Sequence, residues 1–150
     1  MKSYYGSRDI LVTWLEAFVT CKAFNMDLVE LSSEAEADHF LNLLTEHQLH
    51  LKFEAHIGAS YVGVGLNEFY WMTTAQRVEY KLQWARGQPD NLNGIEMFLT
   101  IKRDRNDYKF NDMSNIEKHD FICQRINNTK NKPEANLPNW PKCDPATVEW

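Results

Sequence analysis

Five side chains of the kind that bind hard cations lie close along the chain. Gln88, Asp90 and Glu96 precede an apolar run at 97–101, and Asn111 and Asp112 follow it. A hard cation such as Ca²⁺ takes six to eight oxygen ligands. A loop folded back against two strands would let these five supply most of them and leave positions open for water or ligand hydroxyls. The same residue types also cap turns, because Asn and Asp bond their own backbone nearby. Other chemistries find less support. The five histidines, His39, His47, His50, His56 and His119, contain no His-Glu-x-x-His spacing. His47 and His50 share a helix face, but without a third ligand they read as a solvated helix end rather than a zinc site. No Gly-x-Ser-x-Gly occurs, and Gly63-Val64-Gly65 lacks the remaining glycine and helix of a phosphate loop. No nucleophile with a matching base is found, so the chain does not read as an enzyme.

The elements that must hold these residues follow from periodicity. Thr13 and Glu16 have capping-box spacing, and Trp14, Ala17, Phe18, Cys21 and Phe24 recur at helical intervals, which predicts a helix over 14–24 with Cys21 on its buried face. Ser33 and Glu36 repeat the signal before Ala37, Phe40, Leu41 and Leu44, predicting a second helix over 34–47. Between them Asp27-Leu28-Val29-Glu30-Leu31 is short and β-prone. After residue 50 the pattern changes to brief apolar runs: Ile57-Gly58-Ala59, Glu68-Phe69-Tyr70-Trp71, 97–101, Tyr108-Lys109-Phe110 and Phe121-Ile122-Cys123-Gln124. Two helices and several short strands predict an α+β domain with antiparallel sheets. The stretch between Trp71 and Met97 has little strand pattern, and long irregular loops in compact domains are usually functional.

The 150 residues, 43% of them hydrophobic, allow one domain and a tail. Sixteen Lys and Arg against twenty-one Asp and Glu give a net charge of −5 with no basic block, which argues against a nucleic-acid partner. No run approaches the roughly 20 apolar residues of a membrane span. The start Met1-Lys2-Ser3-Tyr4 has no apolar signal core, so the chain reads as soluble with any signal peptide already removed. Four of the five prolines fall after Ile126, which predicts a domain over 3–126 and a proline-rich tail over 127–150. The three cysteines, Cys21, Cys123 and Cys143, match no metal spacing, and their odd number leaves one unpaired or bonded to another chain. Cys143 lies in the tail, where an exposed thiol could join a partner. Asn127-Asn128-Thr129 is a glycosylation acceptor at the domain edge.

Taken in order, several segments resemble the C-type lectin domain, over nearly all of residues 4–125. Trp14-Leu15-Glu16-Ala17-Phe18-x-x-Cys21 is similar to that family's first helix with its cysteine, and the segment 28–36 to its entry into the second. His56-Ile57-Gly58 resembles the Trp-Ile-Gly motif with His for Trp, and Phe110-Asn111-Asp112 the Trp-Asn-Asp motif. Phe69-Tyr70-Trp71 and Trp84-x-x-Gly87-Gln88-Pro89-Asp90-Asn91 resemble the strand and long loop, and Phe121-Ile122-Cys123 the closing strand. The resemblance implies a C-type lectin-like fold of two helices and two small antiparallel sheets with a long calcium-binding loop. It implies a Cys21–Cys123 disulfide, hence secretion, and closing a loop of about a hundred residues would remove on the order of 4.7 kcal/mol of unfolded-state entropy. It also implies a Ca²⁺ site of Gln88, Asp90, Glu96, Asn111 and Asp112 with Pro89 cis. There two sugar hydroxyls meet metal, carboxylates and amides together.

Within the family Gln-Pro-Asp goes with galactose-type ligands, so Gln88-Pro89-Asp90 implies galactose or N-acetylgalactosamine over mannose. Leu92 stands where galactose binders often carry an aromatic ring. The family's loop-internal disulfide would need cysteines near Phe98 and Asn115, and an accessory calcium site would want an acid at Met97; all are absent. Phe110 replaces Trp, and the charged connection 102–109 reads as an exposed hairpin. The resemblance is greatest to small lectins secreted by insects, which implies a calcium-dependent, non-enzymatic lectin in pathogen-glycan recognition and innate immunity. The rival reading is a lectin-like module that binds a protein partner without calcium, as in adhesion or salivary effector proteins.

Overall fold

The computed structural model describes residues 1–47, 54–63, 66, 68–126 and 142–143. Strand β1 (Lys2–Gly6) opens the chain and helix α1 (Trp14–Ala23) follows. Thr13 caps α1 reciprocally: its hydroxyl accepts from the Glu16 N–H at 3.3 Å, and the Glu16 carboxylate accepts from the Thr13 N–H at 3.0 Å. Strand β2 is Asp27–Leu28, shorter than the β-prone run: the Val29 N–H still reaches the Ile122 carbonyl at 3.0 Å, but the Glu30 N–H goes to a side chain, Gln124 Oε1, at 2.9 Å. Helix α2 (Glu34–His47) starts at the expected residue with half of the expected box. Ser33 Oγ accepts from the Glu36 N–H at 3.1 Å, but the Glu36 carboxylate takes the N–H and hydroxyl of Ser32, each at 2.8 Å, and pairs with Lys2.

The later strands are β3 (Glu54–Val62), β4 (Glu68–Trp71), β5 (Gln76–Arg77), β6 (Glu96–Asp104), β7 (Asp107–Ser114), β8 (Asp120–Ile126) and β9 (Lys142–Cys143). The path runs β5-β4-β3-β8-β1-β9, with β2 on β8, β6 on β3 and β7 on β6. All pairings are antiparallel except β3–β8, where Ala55 faces Asp120 and His56 faces Phe121 in parallel. That short contact joins the two expected antiparallel sheets into one mixed sheet. Strand β1, for which the sequence has no strong alternation, is held against β8 from Lys2↔Ile126 to Gly6↔Ile122. On its other edge Tyr4 and Tyr5 pair with Cys143 and Lys142.

Two apolar clusters flank the sheet. One packs Phe40 and Leu44 of α2 against Ile57, Trp71, Leu99 and Ile101; the other packs Trp14 and Cys21 of α1 against Leu28, Phe121 and Cys123. Fully burying each such large side chain stabilises by about 1.5–3 kcal/mol. The Cys21–Cys123 disulfide crosses the second cluster, closing 102 residues of chain. Gly58 lets β3 pass close to the β2 segment: a Cβ there would lie 2.9 Å from the carbonyl oxygens of both Leu28 and Val29. His56, in the motif position of a Trp, is completely buried. Its Nε2–H donates to the Val12 carbonyl at 2.8 Å, its Nδ1 has no partner, and its ring meets that of His119 at 5.6 Å.

Candidate calcium and glycan site

The β6–β7 hairpin carries the site. Its register, from Glu96↔Ser114 to Asp104↔Asp107, sets Thr100 opposite Asn111 and Leu99 opposite Asp112, with a two-residue turn at 105–106. The long loop is stitched to this hairpin where it enters. The Ala85 N–H donates to the Phe110 carbonyl at 2.8 Å, the Phe110 N–H to the Gln83 carbonyl at 2.9 Å, and the Arg86 N–H to Asp104 Oδ2 at 3.0 Å. Phe110, in its Trp position, is buried in the core. The Gln88–Pro89 bond is cis, as expected. Beyond it the chain turns through left-handed residues, Asn91 (φ 44°), Asn93 (59°) and Gly94 (69°). Asn and Gly are the types that tolerate this conformation, so the composition of the loop explains its path.

This path brings three of the expected residues together. One carboxylate oxygen from each of Asp90, Glu96 and Asp112 lies within 4.8 Å of the other two. Backbone donors hold them: Asp112 Oδ1 and Oδ2 accept from the N–H groups of Asp90 (3.3 Å) and Asn91 (2.7 Å), and Glu96 Oε1 accepts from Leu92 N–H at 3.0 Å. Asn91 Oδ1 accepts from the Glu96 N–H at 3.1 Å, locking the turn. Gln88 joins through its Oε1, which accepts from the Asp90 N–H at 3.2 Å. Among the described residues no Lys or Arg pairs with the three acids. Burial, a hydrogen bond shared with Asp90 and the negative charges of Asp112 and Asp90 push the Glu96 carboxyl up to about 7, against the opposing Leu92 N–H.

Asn111 differs from the other four. It is 4% exposed, and its side chain is held by Glu54 rather than by the three acids: Nδ2 donates to Glu54 Oε2 at 3.1 Å, and Thr100 Oγ1 lies 3.3 Å from its main-chain carbonyl oxygen. Its Oδ1 is buried without a partner. A buried acceptor of that kind needs an explanation, and three converging carboxylates without a counter-charge need one too. Both fit an oxygen-seeking cation. Glu54 has no signal in the sequence, because its partners Thr100 and Asn111 lie 46 and 57 residues away.

Where the loop-internal disulfide is missing, Phe98 stacks on Trp14 at 4.6 Å and Asn115 is exposed. Met97, the accessory-site position, is exposed, and so is Leu92. The side chain of His47, and His50, Val64, Gly65 and the glycosylation acceptor Asn127 lie outside the described residues, as does the side chain of Cys143. No helix among the described residues is long and apolar enough to cross a membrane.

A mixed-sheet α+β domain, its first helix tied to its last long strand by a disulfide and its long loop gathering acids against a hairpin, defines a lectin-like class. No family model matches the chain. It is 30% identical over 124 residues to Perlucin from Haliotis laevigata, across 83% of this chain and 77% of that protein. It is 31% identical over 98 residues to C-type lectin 37Da from Drosophila melanogaster, across 63% of this chain and 49%, about half, of that protein. Among solved structures it is similar to the C-type lectin CEL-I from Cucumaria echinata, with a TM-score of 0.62 and 26% identity over 82% of this chain and 89% of that one. The mouse scavenger receptor C-type lectin carbohydrate-recognition domain gives 0.64 and 26% over 83% and 87%. The chain belongs to the C-type lectin-like domain family, and it is a binding protein, not an enzyme.

Proposed function

We propose that this protein is a secreted, calcium-dependent lectin, with its recognition domain at residues 3–126 and a tail at 127–150 of which Lys142–Cys143 returns to the domain sheet as β9. One observation carries the reading: the carboxylates of Asp90, Glu96 and Asp112 meet within 4.8 Å with no cationic side chain paired to them among the described residues. Gln88, Asp90, Glu96, Asn111 and Asp112 would hold the ion. Bound there, Ca²⁺ supplies a positive centre with coordination positions that sugar hydroxyls can fill. The side chains then do the recognition, since carboxylates can only accept the hydroxyl protons and the amides of Gln88 and Asn111 can donate.

The amide before Pro89 and the acid after it favour galactose or N-acetylgalactosamine. Exchanging donor and acceptor would change which pair of hydroxyls is matched. Leu92, 58% exposed, offers no ring for the apolar face of galactose, so the affinity for it is modest. Secretion agrees with the Cys21–Cys123 disulfide, a bond that persists in oxidising compartments. In that setting Asn127 is the glycosylation site, and Cys143, the cysteine outside the Cys21–Cys123 pair, is the one to bond a second chain. A glycan array probed with and without chelator tests the reading. Galactose-type binding that chelation abolishes supports it; glycan binding indifferent to chelator, or none at all beside a protein partner, replaces it with the calcium-independent module.

A further inference from the structure

Among the described residues the carboxylate of Glu54 is hydrogen-bonded to Thr100 and to Asn111, one of the five residues proposed to hold the ion. A single oxygen, Oε2, accepts both the Thr100 hydroxyl at 2.8 Å and the Asn111 amide nitrogen at 3.1 Å. An ionised carboxylate has no proton to donate, so only the NH₂ end of the Asn111 amide can face it. The carboxamide is thereby set one way round, with Oδ1 turned from Glu54, buried and without a protein partner. Thr100, directly across the ladder from Asn111, fixes Glu54 in turn by donating to it and lying within 3.3 Å of the Asn111 carbonyl.

We infer that Glu54 is a positioning residue for calcium and glycan binding, orienting Asn111 so that its oxygen is left for the ion and one of its N–H groups stays available to ligand. This rests on the calcium reading above. Groups that orient metal ligands from behind commonly alter metal affinity strongly when removed. The effect runs through hydrogen-bond direction and not through the charge of Glu54, because both bonds go to one oxygen. A glutamine carbonyl can take the same two bonds.

Calcium titrations by calorimetry on the full chain test this in the wild type, Glu54→Met, Glu54→Gln, Asn111→Ala and the double variant Glu54→Met with Asn111→Ala. Melting in chelator checks that each is folded, and Glu54→Ala removes the same acceptor should methionine not be accommodated. Glu54→Met is expected to bind Ca²⁺ about ten-fold more weakly and Glu54→Gln within about three-fold of wild type, while Glu54→Met causes no further loss once Asn111 is alanine. Wild-type affinity in Glu54→Met overturns the inference. So does Glu54→Gln as weak as Glu54→Met, which would make charge the cause, or an undiminished effect in the Asn111→Ala background. Absence of Ca²⁺ binding to the wild type overturns the calcium reading and this inference together; the other three results overturn the inference alone.

Discussion

Replacing His56 by phenylalanine tests whether a buried imidazole makes this fold acid-sensitive. His56 is 0% exposed, and burial pushes its pKa down from 6.5 to about 4; the nearby His119 adds to this and the bond to the Val12 carbonyl opposes it. Between these two values the unfolded chain binds a proton that the folded chain does not, so stability rises with pH through this window and is lost as pH falls. The full effect is roughly 3 kcal/mol, of which roughly 2 kcal/mol is already lost at pH 5. Urea denaturation at pH 7 and pH 5 measures it. The wild type should lose about 2 kcal/mol more than His56→Phe over that interval, because phenylalanine keeps the ring and removes the titration. The lower absolute stability expected from losing the Val12 bond cancels in this comparison. Equal losses in both proteins, or a His56 ring resonance titrating at its ordinary value, would refute the reasoning.

In 10 mM Ca²⁺, with a dissociation constant of about 10⁻⁴ to 10⁻³ M, the wild type should gain roughly 1.4–2.7 kcal/mol of stability. Asp112→Ala should show no such gain in a thermal melt, and it should be less stable even in chelator because the N–H groups of Asp90 and Asn91 lose their acceptors. Replacing Cys21 and Cys123 by alanine should lower the unfolding free energy on the order of 4.7 kcal/mol in urea, given the 102 residues the bond closes, and an unchanged midpoint would contradict this. Competition by free galactose and mannose should favour galactose in the wild type and shift toward mannose in the double exchange Gln88→Glu with Asp90→Asn. Mannose preference at the start, or no shift, would remove the sugar assignment and leave the calcium site intact.

Much of the local structure is legible in the residues themselves. Capping signals, helical stripes and short apolar runs mark α1, α2 and β4 to within a residue and the centre of β6, which runs three residues past the apolar run at 97–101, since these depend on neighbours three or four positions away or on alternation within one strand. The motif order names the loop acids, and Asn and Gly at 91, 93 and 94 prepare its left-handed turns. Pairings between distant segments are different. The sequence has no mark for β1, which exists because β8 holds it, nor for the parallel β3–β8 contact that merges the two sheets. Periodicity puts Glu36 in a box with Ser33, yet its carboxylate goes to Ser32 and Lys2. Five site residues could be named from types and spacing. That Asp90, Glu96 and Asp112 converge, that Asn111 is held by Glu54, and that His56 lies buried beside His119 depend on backbone hydrogen bonds and ladder register across 20 to 60 residues or more. Burial and hydrogen-bond direction belong to the folded surroundings of a residue, so only the tertiary structure decides them.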